Sequence, residues 1–182
     1  MTAVLEKTLT VAQYLESENR SEIRHEFVDG QLLAMAGSNL KHNEIIFRIR
    51  SALTAATREK HCQIATESLK VMTKNGRYRY PDVVVSCELT SDEYQIAHPC
   101  FIAEVQSDST AETDNGAKLE EYTKLPSLQR YAIISQKTRT VVVYKKVNHI
   151  WEFEVLQDKG EIDIPCLETV LSLEQIYAGL EE

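Results

Sequence analysis

Runs of apolar residues with an extended pattern recur along the chain and predict a protein rich in β-strands. One strand is predicted from Asp82 to Cys87, because its centre consists of β-branched valines. Another is predicted from Cys100 to Ser107 and is apolar apart from Glu104 and its last residues. Further extended segments are predicted at residues 23–28, 31–36, 62–67, 69–73, 130–135, 140–145 and 150–156. In the last of these, apolar and acidic residues alternate, which is typical of a strand with one exposed face.

Helical spacing of apolar residues appears between these strands. Four helices are predicted, at residues 11–17, 40–59 and 114–125, and from residue 172 onward. Thr10 and Gln13 have the spacing of a capping box at the start of the first helix. His42 lies on the apolar stripe of the second helix, and Pro126 ends the third.

The order of these elements predicts an α/β fold. Asp29-Gly30, between two extended runs, is a strong hairpin signal. The strand from Cys100, the helix from Asp114 and the strand from Arg130 have the lengths of one βαβ unit with parallel strands. A chain of 182 residues suits one domain. We therefore predict a single α/β sandwich, with a mixed central sheet and helices on both faces.

The charge of the chain argues against a broad nucleic-acid surface. The net charge is −8 and the isoelectric point is near 5.2, whereas nonspecific affinity for nucleic acids comes mainly from lysine and arginine. A local group of basic residues precedes Asp82 and consists of Lys70, Lys74, Arg77 and Arg79. It is either a basic strip for phosphates or a hairpin carrying solvated charges. No run approaches the about 20 apolar residues of a membrane span, and no secretory signal pattern is visible.

The cysteines show no metal-binding spacing. Cys62, Cys87, Cys100 and Cys166 contain no CxxC pair, so a zinc site is not expected. Reduced, buried thiols in a cytoplasmic protein are the plain interpretation. Cys87 and Cys100 flank strands that could be neighbours, which leaves a disulfide between them open.

Two carboxylates occupy positions where the predicted strands would bring them together. Asp82 begins one strand, while Glu104 and Gln106 share one face of the other, because side chains alternate along a strand. Converging carboxylates repel each other unless a cation lies between them. Oxygen ligands favour Mg²⁺ or a similar ion, which can bind a phosphate oxygen and activate water. The other interpretation is a salt bridge between Glu104 and a buried lysine or arginine.

Pro81-Asp82 followed by Glu104-Val105-Gln106 resembles the motif of the PD-(D/E)XK, or restriction-endonuclease-like, nuclease superfamily. Nearly the whole chain also resembles the Uma-type bacterial family labelled "putative restriction endonuclease". The residues that carry this likeness are Tyr14-Leu15, His25 to Gly30, Met35, His42, Tyr80 to Asp82, Glu104 to Ser107, Asp114, Lys118, Tyr122 and Tyr131 to Ile134. The resemblance implies a three-layer sandwich and a metal-dependent endonuclease that acts on DNA.

The resemblance also assigns roles to individual residues. It implies that Asp82, Glu104 and the carbonyl of Val105 bind Mg²⁺ or Mn²⁺. Most members of the superfamily have a lysine where this chain has Gln106, and that lysine orients the attacking water. A helix lysine recurs in the Uma-type family at the place of Lys118, so Lys118 with Gln106 is expected to assist the water.

Several of these positions keep an alternative. Lys118 and Asp114 are four residues apart and could form a surface ion pair. Lys124 is expected to have no catalytic role, because it lies about 9 Å further along the helix axis at ~1.5 Å per residue. His42 is either a packed, hydrogen-bonded core residue or a substrate contact.

A second class of function is a nuclease-like domain that no longer cuts and serves as a binding or assembly module. The acidic charge and Gln106 favour it. Nuclease-like folds that cut duplex DNA often pair, so a homodimer is a further expectation from the resemblance. Trp151 and Phe153 are expected to be buried, against the core or a partner, and Trp151 within its own chain.

Overall fold

The computed structural model describes residues 8–35, 37–73, 76–88, 90, 92–106 and 114–180, with the backbone alone described at 114 and 115. The predicted contact of the Asp114 side chain, the position of Lys74 and the end of the strand at Ser107 lie outside these residues. No helix of the described chain is long and apolar enough to cross a membrane.

The helices follow the apolar periodicity and the capping signals. They are α1 (Val11–Glu18), α2 (Leu40–Glu59), a π-helical turn (Asp114–Lys118) continuing into α3 (Leu119–Thr123), a 3₁₀ turn (Pro165–Leu167) and α4 (Leu173–Tyr177). The capping box of α1 is formed by Thr10 and Gln13 as predicted, and α2 begins at the N-cap Asn39. The third helix is shorter than predicted, and its first turn has π geometry.

The strands are β1 (His25–Val28), β2 (Gln31–Ala34), β3 (Gln63–Ala65), β4 (Lys70–Met72), β5 (Tyr78–Arg79), β6 (Val83–Ser86), β7 (Gln95–Ile96), β8 (Phe101–Gln106), β9 (Arg130–Ser135), β10 (Thr140–Val147), β11 (Ile150–Gln157), β12 (Glu161–Ile164) and β13 (Thr169–Ser172). Among the described residues they form a central six-stranded sheet in the order β11-β10-β9-β8-β6-β3. A five-stranded sheet has the order β2-β1-β5-β4-β7, and β12 pairs with β13.

The central sheet is mixed, as the sequence predicted. β8 and β9 are parallel and joined through α3, which confirms the βαβ unit. β6 pairs with β8 in antiparallel register, with Val83 opposite Ala103. The hairpin of β1 and β2 turns at Asp29-Gly30, where both residues have positive φ.

Two apolar clusters cover the faces of the central sheet. On one face, Val83, Phe101 and Val105 pack with residues of α2 and α4, including Ile45 and Ile176. On the other face, the core consists of Val71, Val84, Ile96, Ile102, Tyr122, Leu125, Leu128, Tyr131 and Ile133. This second cluster joins α3 and the five-stranded sheet to the central sheet. The chain therefore has the α/β sandwich predicted from its sequence.

The four cysteines differ from the expectation of reduced thiols. Cys62 is bonded to Cys87, and Cys100 is bonded to Cys166. The predicted alternative pair, Cys87 with Cys100, does not form. The reason is register: Gln63 lies opposite Ser86, so the next residues outward, Cys62 and Cys87, face each other across β3 and β6.

Of the basic residues before Asp82, the three that the structure describes form neither an exposed strip nor a solvated hairpin. Arg79 is 2% exposed and Lys70 is 3% exposed. Arg77 pairs with Asp29 and with Glu121. For these three residues both interpretations were wrong, because Lys70 and Arg79 are buried on short strands and Arg77 is paired with acidic side chains.

The outer strand β11 is also more exposed than predicted. Trp151 is half-buried and donates from Nε1 to the carbonyl oxygen of Thr123 at 2.9 Å, within its own chain. Phe153 is 67% exposed and Val155 is 56% exposed. Phe153 is therefore not buried within its own chain, where β11 is the edge of the central sheet, and its burial against a partner stays a prediction.

Candidate functional site

The site is at one end of the central sheet, where β6 begins and β8 ends. Since Val83 lies opposite Ala103, Asp82 and Glu104 are the next opposed positions on the two strands. The amide N–H of Val105 donates to Oδ2 of Asp82 at 2.6 Å. The structure therefore brings both predicted carboxylates to the same end of neighbouring strands. For Val105, the contact with Asp82 is made by the N–H group.

Glu104 is buried in a polar pocket of its own. It is 2% exposed, and Nζ of Lys118 lies 3.1 Å from Oε2. The hydroxyl of Tyr122 donates to Oε1 at 3.0 Å. Burial raises the pKa of Tyr122 well above its ordinary value, with Glu104 adding to the effect, so the hydroxyl keeps its proton and remains a donor. The salt bridge that the sequence left open is present, and its cation is Lys118.

Lys118 reaches the site because it ends the π-helical turn that precedes α3. Its side chain is 9% exposed and also lies 3.7 Å from Oε1 of Glu26. Lys124 directly follows α3 and forms a surface ion pair with Glu120 instead. The two lysines of this segment thus have different environments, one enclosed by buried carboxylates and one exposed.

Asp82 has a second set of neighbours. Nε2 of His42 lies 3.4 Å from Oδ1 of Asp82 and 3.6 Å from Oε1 of Glu67. Burial of the imidazole opposes its charge, but the hydrogen bonds and charges of Asp82 and Glu67 outweigh burial and raise the pKa of His42 to about 10. Nδ1 of His42 lies 3.3 Å from the side-chain amide of Gln136. His42 is therefore both a packed residue and part of the site.

A chain of ion pairs that the sequence did not predict supports Lys118. Arg79 donates to Glu26 at 2.7 Å and to both carboxylate oxygens of Glu121 at 2.8 Å. Arg77 donates to Glu121 at 2.8 Å. The signal that could have indicated this network is the spacing of Arg77 and Arg79, which places both on one face of an extended segment.

Gln106 ends β8 two residues after Glu104, is half-buried and pairs in register with Ser135. By alternation its side chain shares the face of Glu104. Its amide can donate and accept hydrogen bonds but cannot take up a proton at neutral pH. At this end of the sheet Gln106 thus offers an amide that can form hydrogen bonds, and Lys118 offers an amino group beside Glu104.

The donor set fits a divalent cation. One ligand atom each from His42, Glu67 and Asp82 lie within 4.8 Å of one another. Carboxylate oxygens are the ligands that Mg²⁺ and Mn²⁺ prefer, and the His42 nitrogen could join them only after the imidazole has lost its proton. Glu104 stands on the adjacent strand, and its charge is at present balanced by Lys118. Acidic groups of this structure could therefore hold a metal at the start of β6.

Comparison with known proteins places the chain among nuclease-like proteins. Residues 11–174 match the model of the Uma2 family, described as "Putative restriction endonuclease". Two uncharacterized proteins of Synechocystis sp. are similar. One, slr1290, is 30% identical over 177 residues and covers 94% of this chain and 93% of its own. The other, sll1609, is 29% identical over 170 residues and covers 90% of this chain and 96% of its own.

A solved structure has the same fold. It is the crystal structure of "a putative nuclease belonging to DUF820" from Anabaena variabilis, with a TM-score of 0.76 and 20% identity, covering 93% of this chain and 98% of that chain. The likeness of fold and the match over most of the sequence agree with the motif read from Asp82 and Glu104. The chain belongs to the Uma2 family of "Putative restriction endonuclease" proteins.

Proposed function

We propose that this protein is a metal-dependent endonuclease that hydrolyses phosphodiester bonds of DNA. The observation that carries the proposal is the convergence of Asp82, Glu104 and Lys118 at one end of two neighbouring strands. A buried lysine between two carboxylates, next to a third carboxylate that is paired with a histidine, is a costly arrangement for stability alone. Burial and closely spaced carboxylates are combined in this way at many functional sites.

The proposed ligands of the metal are Asp82 and Glu104, with the carbonyl oxygen of Val105, and the proposed ion is Mg²⁺ or Mn²⁺. Such an ion, when bound, would polarise a phosphate oxygen of the substrate and lower the pKa of a bound water molecule. His42, which is itself paired with Glu67, holds the Asp82 carboxylate in place from the other side.

Lys118 and Gln106 carry the remaining part of the mechanism. Lys118 keeps a positive charge between Glu104 and Glu26, where it can stabilise the negative charge that develops on the phosphate. The Gln106 amide, on the same face as Glu104, orients the attacking water by hydrogen bonding. Arg79 holds Glu26 and Glu121 and thereby fixes the position of Lys118.

The test is cleavage of plasmid and single-stranded DNA by purified protein in Mg²⁺, in Mn²⁺ and in EDTA. We expect divalent-dependent cleavage that is lost in Asp82→Asn and in Glu104→Gln. Lys118→Met should abolish cleavage while Mn²⁺ binding remains, and Lys124→Met is the matched control that should cut at the native rate. Cleavage that survives in both carboxylate variants would remove the assignment. Native cleavage by Lys118→Met would leave Gln106 as the residue that acts on water.

The second candidate function is a nuclease-like binding or assembly module without turnover. It is favoured by Gln106, by the net charge of −8 and by the ion pair that engages Glu104. Calorimetric titration with Mn²⁺ separates the two functions. Metal binding without cleavage of any DNA substrate supports the module, whereas the absence of binding removes the metal from both proposals.

We also propose that the chain is one domain and acts as a homodimer. The two apolar clusters share the central sheet, which supports a single domain over the described residues. The edge strand β11 exposes Phe153 and Val155 and offers a surface for a second copy. Sedimentation at micromolar concentration should show a species of twice 20.7 kDa. A species of the monomer mass alone would contradict the dimer.

A further inference from the structure

A small polar cavity lies beside the site but does not include its carboxylates. Its volume is about 120 Å³, and its lining includes Glu18, Arg24, Ser68, Lys70, Tyr80 and Tyr94. We call it the Lys70 pocket. Ser68 follows Glu67 directly, and Tyr80 precedes Asp82 by two residues. Two segments that line the pocket are thus next to Glu67 and Asp82 in the sequence, while the pocket itself is formed by different side chains.

Lys70 is the notable group of this pocket. Lys70 is 3% exposed. Within the described chain, its Nζ makes no hydrogen bond and no ion pair. The ring of Tyr94 has its centroid 5.7 Å from Nζ. Burial lowers the pKa of Lys70, although Asp92 and Glu18 attract its charge from a distance. A buried ammonium group without an acceptor is costly, so the pocket offers a cation that a bound anion would satisfy.

The acid that lines the pocket is already engaged. Oε1 of Glu18 accepts from the backbone N–H of His25 at 2.8 Å and from the hydroxyl of Tyr80 at 3.0 Å. Its Oε2 lies 3.1 Å from Nδ1 of His25. Glu18 is therefore held by its own neighbours and is not directed to Lys70. The positive groups that face the cavity are Lys70 and Arg24.

We propose that the Lys70 pocket binds a phosphate group. The cavity is too small for a nucleoside but has room for a tetrahedral oxyanion, which a buried lysine and a neighbouring guanidinium recognise by charge-assisted hydrogen bonds. The Ser68 hydroxyl can add a further donor. The phosphate group has three possible sources: inorganic phosphate, a phosphate at the end of a DNA strand, or a phosphate within the DNA backbone. The last two sources rest on the proposed nuclease function.

The first experiment is titration of the metal-free protein with inorganic phosphate, followed by calorimetry or ³¹P NMR. Lys70→Met should weaken phosphate binding at least tenfold, and Arg24→Gln should weaken it several-fold. The control is Lys159→Met, since Lys159 is exposed on the turn after β11 and should bind phosphate like the native protein. Native affinity in both Lys70→Met and Arg24→Gln would overturn the proposal.

Folding of the variants does not obscure this result. Lys70→Met exchanges a buried, unpaired cation for an apolar side chain of similar length, so we expect a melting temperature equal to or above that of the native protein. Arg24 is exposed, and its replacement leaves the core intact. A native melting temperature together with lost phosphate binding assigns the loss to the pocket.

The second experiment identifies the source of the phosphate. Metal-free protein is titrated with the same fluorescent oligonucleotide carrying a 5′-phosphate or a 5′-hydroxyl. Tenfold preference for the 5′-phosphate, lost in Lys70→Met, assigns a strand end. Equal affinities that Lys70→Met lowers alike assign a backbone phosphate. Unchanged oligonucleotide affinity in Lys70→Met would overturn the link to DNA. Glu104→Gln, which removes cleavage, should leave phosphate binding unchanged, so failure of the nuclease assignment and failure of the pocket are distinguishable.

Discussion

The two carboxylates at the end of the central sheet face each other across neighbouring strands, yet their surroundings differ in kind. The Glu104 group consists of Glu104, Lys118, Glu26, Arg79, Glu121 and Arg77, and in it each acid contacts a cation. The Asp82 group consists of Asp82, Glu67 and His42, so two acids share one imidazole. The first group is a closed network inside the protein, while the side chain of Glu67 is 36% exposed and keeps the second group open to solvent.

This difference separates two tasks. A buried network with matched charges fixes positions, because removing one member leaves a neighbour charged and unpaired. A group with an excess of carboxylates attracts a cation from solution. We infer that the Glu104 group positions Lys118, and that the Asp82 group provides the attraction for the metal.

The largest effect is expected when the Glu104 group loses Arg79. Arg79→Met leaves Glu26 and Glu121 without their shared partner in the protein interior, which should cost about 3–5 kcal/mol of the free energy of unfolding. Urea denaturation measures this change. The matched control is Arg20→Met, which removes an exposed ion pair with Glu16 and should cost about 1 kcal/mol or less. Equal losses in the two variants would show that the network does not stabilise the fold.

A smaller loss is expected from Tyr122→Phe, which removes one donor to Glu104 and keeps Lys118. A hydrogen bond to a buried carboxylate contributes about 1.5–3 kcal/mol, and the same denaturation experiment should detect its loss. The control is Tyr144→Phe, because the ring of Tyr144 contacts Tyr131 and Phe153 and its hydroxyl makes no hydrogen bond within the described chain. A Tyr122→Phe variant as stable as Tyr144→Phe would contradict the role of this hydroxyl.

The contrast between the two groups also marks the limit of what the sequence could predict. The strands around Val84 and Ile102, the capping box at Thr10 and the βαβ unit are local patterns, and the structure confirms them. Four short strands were not predicted. They are β5 and β7, which have two residues each, and β12 and β13, which have four each. Short strands form through tertiary pairing and leave little periodicity in the sequence.

The site could be predicted only where a motif named its residues. Asp82, Glu104 and Lys118 follow from the family pattern, and the structure brings them to one place. Glu67 and Glu121 carry no local signal, because their partners are distant in the sequence. Buried ion pairs between distant segments therefore could not be predicted without the structure, and neither could the pairing of the cysteines.

The Asp82 group should respond to removal of its exposed acid. Glu67→Gln keeps the size of the side chain but removes one negative charge near Asp82, and we expect Mn²⁺ affinity to fall about tenfold, or about 1.4 kcal/mol. Calorimetric titration measures the affinity. Glu59→Gln, an exposed change at the end of α2, is the control and should bind like the native protein. Native affinity in Glu67→Gln would place the attraction for the metal elsewhere.

The smallest expected effect is a change in the pH dependence of stability. Burial raises the pKa of Glu121, but the hydrogen bonds and charges of Arg79 and Arg77 outweigh burial and hold the pKa below the ordinary value of 4.5. A carboxylate whose pKa is lowered on folding stabilises the protein above its unfolded pKa, and the contribution is lost as the pH falls through the folded pKa. The native protein should therefore lose stability below about pH 4.5, and the difference from Glu121→Gln should shrink over the same range. The control is the exposed Glu59→Gln at the end of α2, which should follow the native curve. Parallel curves for the native protein and Glu121→Gln would show that the arginine partners do not lower the pKa of Glu121.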